Sequence, residues 1–219
     1  MISAVASAAE MTRLDLEDIP PRDAHRFLGI ADRNAAELAE LTTNLLDTYR
    51  LEEGRLRPRQ QMIHLAAVAD DVLDRLTAQA VQRDVRLEVV GDPAERVVAD
   101  GDLLGRVLLN LVTNAVKFSP PGGRVRIDLD AQFRPPEGQP GTVVSIHDEG
   151  PGVAPEHRAH LFERFTPLAL PGGSRPVGSG LGLAFCARAL DLMGGAIWLA
   201  DTPPPGSTFA FVLPRPGER

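Results

Sequence analysis

The 219-residue chain contains one cysteine, Cys186, so no internal disulfide can form, and a reducing cytoplasm fits. Positive charge is scarce: 23 Lys and Arg stand against 30 Asp and Glu, a formal net charge of −7. That balance argues against a nucleic-acid partner, which would require a basic face. No apolar run reaches the length of a membrane span, and the N-terminus lacks the charged-then-apolar pattern of a signal segment. No internal repeat recurs at a fixed period. What is present is enough chain for one large domain or two small ones with a real core. Cys186 lies in the apolar run LGLAFCARAL and reads as a small core residue rather than a nucleophile.

Two helices are expected at the start. The first, alanine-rich, covers Met1 to Glu17 and stops before Pro20-Pro21. The second runs from about Arg22 to Glu53, where Phe27, Ala31, Asn34, Leu38, Leu41, Leu45 and Thr48 follow a heptad, and Gly54 closes it. Together they read as an antiparallel hairpin that buries too little alone. Its seam pairs with another hairpin into a four-helix dimer, with Asn34 setting register, or else packs on the chain's own second domain.

Arg55 to Gln61 reads as a polar linker. A helix follows from His64, placed as its N-cap, to about Gln82, with Leu65, Val68, Val72, Leu73 and Leu76 inward. Val85 to Val89, Val97-Val98, Val125 to Leu129, Val143 to His147, Ala196 to Ala200 and Thr208 to Leu213 read as strands. Further helices are expected from Asp102, as N-cap, to Ser119, from Pro155 to Phe165, and from Leu181 to Met193. Loops fill Arg134 to Gly141 and Thr166 to Gly180. The pattern is α+β, one sheet covered by helices.

Three stretches carry polar groups suited to chemistry. In DLLGRVLLNLVTNAVKFS, Asn110, Asn114 and Lys117 share a helix face, offset by four and three residues. Amide oxygens suit a hard cation such as Mg²⁺, and an ammonium suits phosphate; the same pattern also fits an ordinary half-exposed face. Asp148 ends a strand ahead of Gly150 and Gly152, where a carboxylate can accept from an exocyclic amine and glycines admit a flat ring. A plain surface turn uses the same residues. Gly178-Ser179-Gly180-Leu181-Gly182 runs into a helix whose first N–H groups can take an anion. No Gly-Lys-Ser/Thr follows, so it is not a P-loop, and no strand leads into it as a dinucleotide fingerprint needs.

In this order the stretches resemble the boxes of sensor histidine kinases. NLVTNAVKFS is similar to the N box, DEGPG to the G1 box, LFERF to the F box, GSGLGLA to the G2 box and GSTFAFVLP to the closing strand. The resemblance covers roughly Arg55 to Pro214. It implies the Bergerat-type α/β sandwich shared with gyrase-type topoisomerases, MutL-type repair proteins and heat-shock chaperone ATPases. By position it implies that Asn110 and Asn114 hold Mg²⁺ and phosphate, Lys117 contacts phosphate, and Asp148 binds the adenine amino group of ATP beside Gly150 and Gly152. Gly178, Gly180, Leu181 and Gly182 belong to the phosphate-cradling lid, and Arg164 approaches the γ-phosphate. Asn110, Lys117 and Arg164 are the implied catalytic set.

RFLGIADRNAAELAELTTNLLDTYRLEEGRL resembles the second helix of a kinase dimerisation and phosphotransfer hairpin. The implied division is a hairpin over 1–54, a linker over 55–61 and an ATP-binding domain over 62–215. The family's H box is missing: none of His25, His64, His147, His157 and His160 has its context, and Met1 to Val5 resembles the residues just after it. The chain is therefore expected to begin past the phosphoacceptor. His25 has no adjacent acid as general base and reads as a surface or capping residue. The resemblance implies a cytoplasmic ATP-dependent histidine kinase core, acting on a histidine in trans, that dimerises and meets a response regulator receiver domain. A non-catalytic phosphorelay adaptor and a serine kinase of the anti-sigma type are the other readings.

Overall fold

The computed structural model describes residues 58–129, 140–164, 180–202 and 205–217, with Gly29, Ala35, Pro135 and Thr166 as single positions. The expected hairpin, His25, the seam position Asn34 and Gly178 lie outside the described residues. Contacts divide the chain into Met1–Asp47 and Thr48–Arg219, and the second unit is the one described here.

A strand stands where the linker meets the first expected helix of this unit. β1 (Gln61–His64) pairs antiparallel with β3 (Arg96–Ala99), Gln61 opposite Ala99 and His64 opposite Arg96. His64 ends the strand with extended backbone and so does occupy the N-cap of α1 (Leu65–Gln82), but its side chain makes no cap bond. The Leu65 N–H donates to the Glu95 carbonyl at 3.1 Å. Along α1, Leu65, Ala69, Val72, Leu76 and Ala80 are buried, spaced by three and four residues as a core-facing stripe requires.

After β2 (Arg86–Val90) and β3 comes the 18-residue α2 (Gly101–Phe118). Its N-cap is Asp100, not Asp102. Asp100 Oδ1 accepts from the N–H groups of Asp102 and Leu103, each at 3.1 Å, because residue 100 is the last with extended backbone. Asp102 falls in the first turn, where its charge meets the positive end of the helix dipole. Asp100 Oδ2 also accepts from the Arg59 N–H at 2.8 Å, tying the incoming chain to the helix start. Leu103, Leu104, Val107, Leu108, Leu111, Val112, Ala115 and Val116 are buried; full burial of such a side chain stabilises the fold by roughly 1.5–3 kcal/mol.

β4 (Arg124–Leu129), β5 (Thr142–Asp148), α3 (Pro155–Arg158), α4 (Gly182–Leu192), β6 (Ala196–Leu199) and β7 (Ser207–Leu213) complete the order. The helix expected over Pro155 to Phe165 is four residues long. Beyond it the backbone tightens into i→i+3 turns, His160 N–H to His157 O and Glu163 N–H to His160 O, which carry Leu161 into the core.

Five strands form one sheet in the order β2-β4-β5-β7-β6; β2 and β4 are parallel and the other pairs antiparallel. In β4 the alternating Val125, Ile127 and Leu129 point into the core, whereas β7 is buried throughout. One face of the sheet packs with α1, α2 and α4 into the main core. The other carries a small cluster of Val143, Ala210 and Val212 with Trp198 against it. The Val98 N–H donates to the Pro214 carbonyl at 2.9 Å and joins the β1–β3 ribbon to the end of β7. Among the described residues, no helix is long and apolar enough to cross a membrane.

Candidate functional site

Asp148 is the last residue of the central strand β5, paired with Ser207 of β7. The residue is 4% exposed, and its Oδ1 accepts from the Gly150 N–H at 2.8 Å. Burial raises its pKa above the ordinary carboxylate value; the N–H groups of Gly150 and Ser207 and the neighbouring His147 pull it partly back. Glycine is demanded around it. A Cβ at Gly150 would lie 2.6 Å from Asp148 Oδ1 and 2.8 Å from the Phe118 carbonyl oxygen. Gly152 holds φ at +77°, a left-handed conformation that side chains resist.

A cleft of about 470 Å³, its open mouth included, rises from this carboxyl. Phe118 of α2 and Phe209 of β7 supply apolar wall, Asn114 one flank, and Val153 and His157 line it from the segment after the glycines. An acceptor among apolar surfaces suits a flat ring bearing an amine.

One turn earlier on α2, Asn110 Nδ2 donates to the Arg106 carbonyl at 3.0 Å. Oδ1 faces the start of α4, where a Cβ at Gly182 would lie 3.0 Å from it. Gly180 has φ of +69°; Leu181 is buried, and its carbonyl takes the Phe185 N–H at 2.9 Å. Lys117 is half-buried in the last turn of α2 and does not line the Asp148 cleft. Arg164 lies elsewhere, in an open groove with Phe162, Glu163 and, from α4, Ala184, Arg188 and Asp191.

The fold thus assembles two groups from the anticipated residues. Asn114, Asp148 and Gly152 line one cleft, Gly150 donates its N–H to the Asp148 carboxyl, and Asn110 faces Gly182. Arg164 is not brought into that cleft. Phe118, His157, Ser207 and Phe209 also line the cleft and are not among the residues expected from the sequence. Phe118 falls four residues after Asn114 on one helix face, and that offset marks it; Ser207 reaches Asp148 through strand register alone. Cys186 is fully buried, and burial pushes its thiol well up, so the inert core assignment holds. Among the described residues, no three His, Cys, Asp or Glu side chains gather as a metal site.

Residues 99–217 match the family model described as histidine kinase-, DNA gyrase B-, and HSP90-like ATPase. The chain is 33% identical over 206 residues to the signal transduction histidine-protein kinase/phosphatase MprB of Mycolicibacterium smegmatis, covering 89% of this chain and 39% of that protein. It is 34% identical over 199 residues to the adaptive-response sensory kinase SasA of Synechococcus, covering 88% and 49%. Full-length ShkA, solved in complex with AMPPNP, is similar with a TM-score of 0.69 and 26% identity, over 96% of this chain and 42% of that one. The chain therefore spans less than half the length of each of these three relatives.

Proposed function

The chain belongs to the family of histidine kinase-, DNA gyrase B- and HSP90-like ATPases, and from that premise we propose that it is the ATP-binding catalytic core of a two-component sensor histidine kinase. The reaction breaks the bond between the β,γ-bridging oxygen and the γ-phosphorus of ATP and forms an N–P bond on a histidine, releasing ADP. The observation that carries the reading is the buried Asp148 carboxyl at the base of an apolar-walled cleft flanked by Asn114. In its ionised form that carboxyl accepts from the adenine amino group. Gly150 and Gly152 let the ring come close, and Phe118 and Phe209 exclude water from its faces.

Phosphoryl transfer depends on positioning and charge neutralisation. Lys117 supplies an ammonium to the phosphates, and the phosphate cradle is assigned to Gly178, Gly180, Leu181 and Gly182. Arg164 is assigned to the γ-phosphate. Asn110 and Asn114 would hold Mg²⁺, an ion that takes few protein ligands and fills its sphere with phosphate oxygens and water. The donor type fits: Asn110 commits its nitrogen to the Arg106 carbonyl and presents its oxygen. Mg²⁺ neutralises charge on the phosphate oxygens when bound.

The proposed division is a dimerising hairpin over 1–54, a linker over 55–61 and the ATP-binding domain over 62–215, working in a reducing cytoplasm with a response regulator receiver domain as partner. The test is label transfer from γ-labelled ATP with Mg²⁺, to the chain alone and to an added hairpin carrying an H box. Acid-labile label on the added hairpin is expected. ATP bound with no label on either would replace the kinase reading with the adaptor one.

A further inference from the structure

We infer that Arg106 is a positioning residue that holds the phosphate end of the site together by fixing α4 against α2. The inference rests on the reading of this region as an ATP site. Three contacts and one close approach run in a circuit between the two helices. The Arg106 carbonyl takes the Asn110 Nδ2–H at 3.0 Å. Asn110 Oδ1 faces Gly182, the first residue of α4, and lies 3.0 Å from where a Cβ on it would stand. Three residues further, Phe185 is fully buried, its N–H bonded to the Leu181 carbonyl. The guanidinium carbon of Arg106 lies 4.3 Å from the centroid of the Phe185 ring, which closes the circuit.

The chemistry of each contact differs in direction. Val107 and Leu111 of α2 and Leu183 and Ala189 of α4 belong to one apolar core, and apolar contact is non-directional. A planar guanidinium on an aromatic face has a preferred geometry, and it is attracted by the ring quadrupole. Arg106 therefore sets how far α4 slides along α2, and with it the distance from Asn110 Oδ1 to the backbone at Gly182. The adenine end has other supports: Asp148, Gly150 and Phe209 belong to β5, the loop after it and β7. Loss of the Arg106–Phe185 stack should loosen the phosphate end and spare the ring end.

Titration calorimetry on the full chain, with adenosine and separately with ATP and Mg²⁺, separates these ends. Arg106→Gln removes the cation; Phe185→Leu removes the ring and leaves the cation in place. In either variant, ATP affinity is expected to fall about five- to thirty-fold, the worth of a partly desolvated cation–π contact, with adenosine affinity within about twofold of the parent. Thermal melting verifies that each variant is folded, and one folded variant suffices. ATP affinity unchanged, or adenosine and ATP weakened equally, overturns the positioning role while leaving the ATP site intact. A parent chain that binds neither ligand overturns the site reading itself, and the inference with it.

Discussion

Gly206 sits directly on the main chain of Asp148. Its φ is +106°, and a Cβ there would overlap the Asp148 carbonyl oxygen. The loop entering β7 thus depends on a missing side chain to hold the strand end that carries the carboxyl. Gly206→Ala is expected to lower stability by at least about 1–3 kcal/mol, the cost of forcing a side chain into such backbone, and to reduce adenosine affinity. Melting temperature and calorimetry check both; a variant that melts and binds like the parent would show that the loop yields freely.

The raised Asp148 pKa has a sign that can be tested. The folded chain holds this proton to higher pH than the unfolded chain, whose reference value is 3.8. The stability it contributes is fully present below that value and is lost as pH rises through the folded-state value. Asp148→Asn cannot titrate. Ligand-free parent should therefore lose stability relative to the variant as pH is raised above 3.8, and parallel melting profiles would contradict this. The variant should also bind ATP about ten- to a hundredfold less tightly, as expected for loss of a hydrogen bond to a charged group.

Gly182→Ala separates folding from function. Alanine favours a helix by up to about 1 kcal/mol over glycine, so melting should hold or rise. The new methyl would meet Asn110 Oδ1 at 3.0 Å and displace it. ATP–Mg²⁺ affinity is expected to fall about tenfold while adenosine binding persists. Full ATP affinity would remove Asn110 from the phosphate site.

Asp100→Ala deletes the cap of α2 and the tether to Arg59. A loss of about 1–2 kcal/mol in urea unfolding is expected, with ATP affinity unaffected in the folded protein. An equal loss from Asp102→Ala would mean that the cap lies at Asp102 after all.

Local features were the legible ones. The spacing of Asn110, Asn114 and Lys117 is a helix property, and Asp148 with its glycines is strand end followed by turn; both can be read from a few adjacent residues. What escaped was non-local or finely divided. β1 has four residues, and its partner β3 lies some thirty positions on, so no periodicity in Gln61 to His64 announces it. Asp100 and Asp102 are equal candidates by composition, and only the backbone angle at residue 100 chooses between them. Arg164 was placed by motif order, whereas its surroundings depend on how α4 packs beside the turns after α3.

α2 serves two masters along one axis. Leu108, Leu111, Val112 and Ala115 fill the core from one side, while Asn110, Asn114 and Lys117 occupy another. Each residue advances a helix by about 100°. An insertion or deletion between Asn110 and Asn114 would rotate every later side chain off its mark, swinging amides toward the core and leucines toward the cleft. Substitutions in this helix can be graded, but its length is all-or-none: the reading frame of the helix is shared by the fold and the site, and neither can be lengthened without the other.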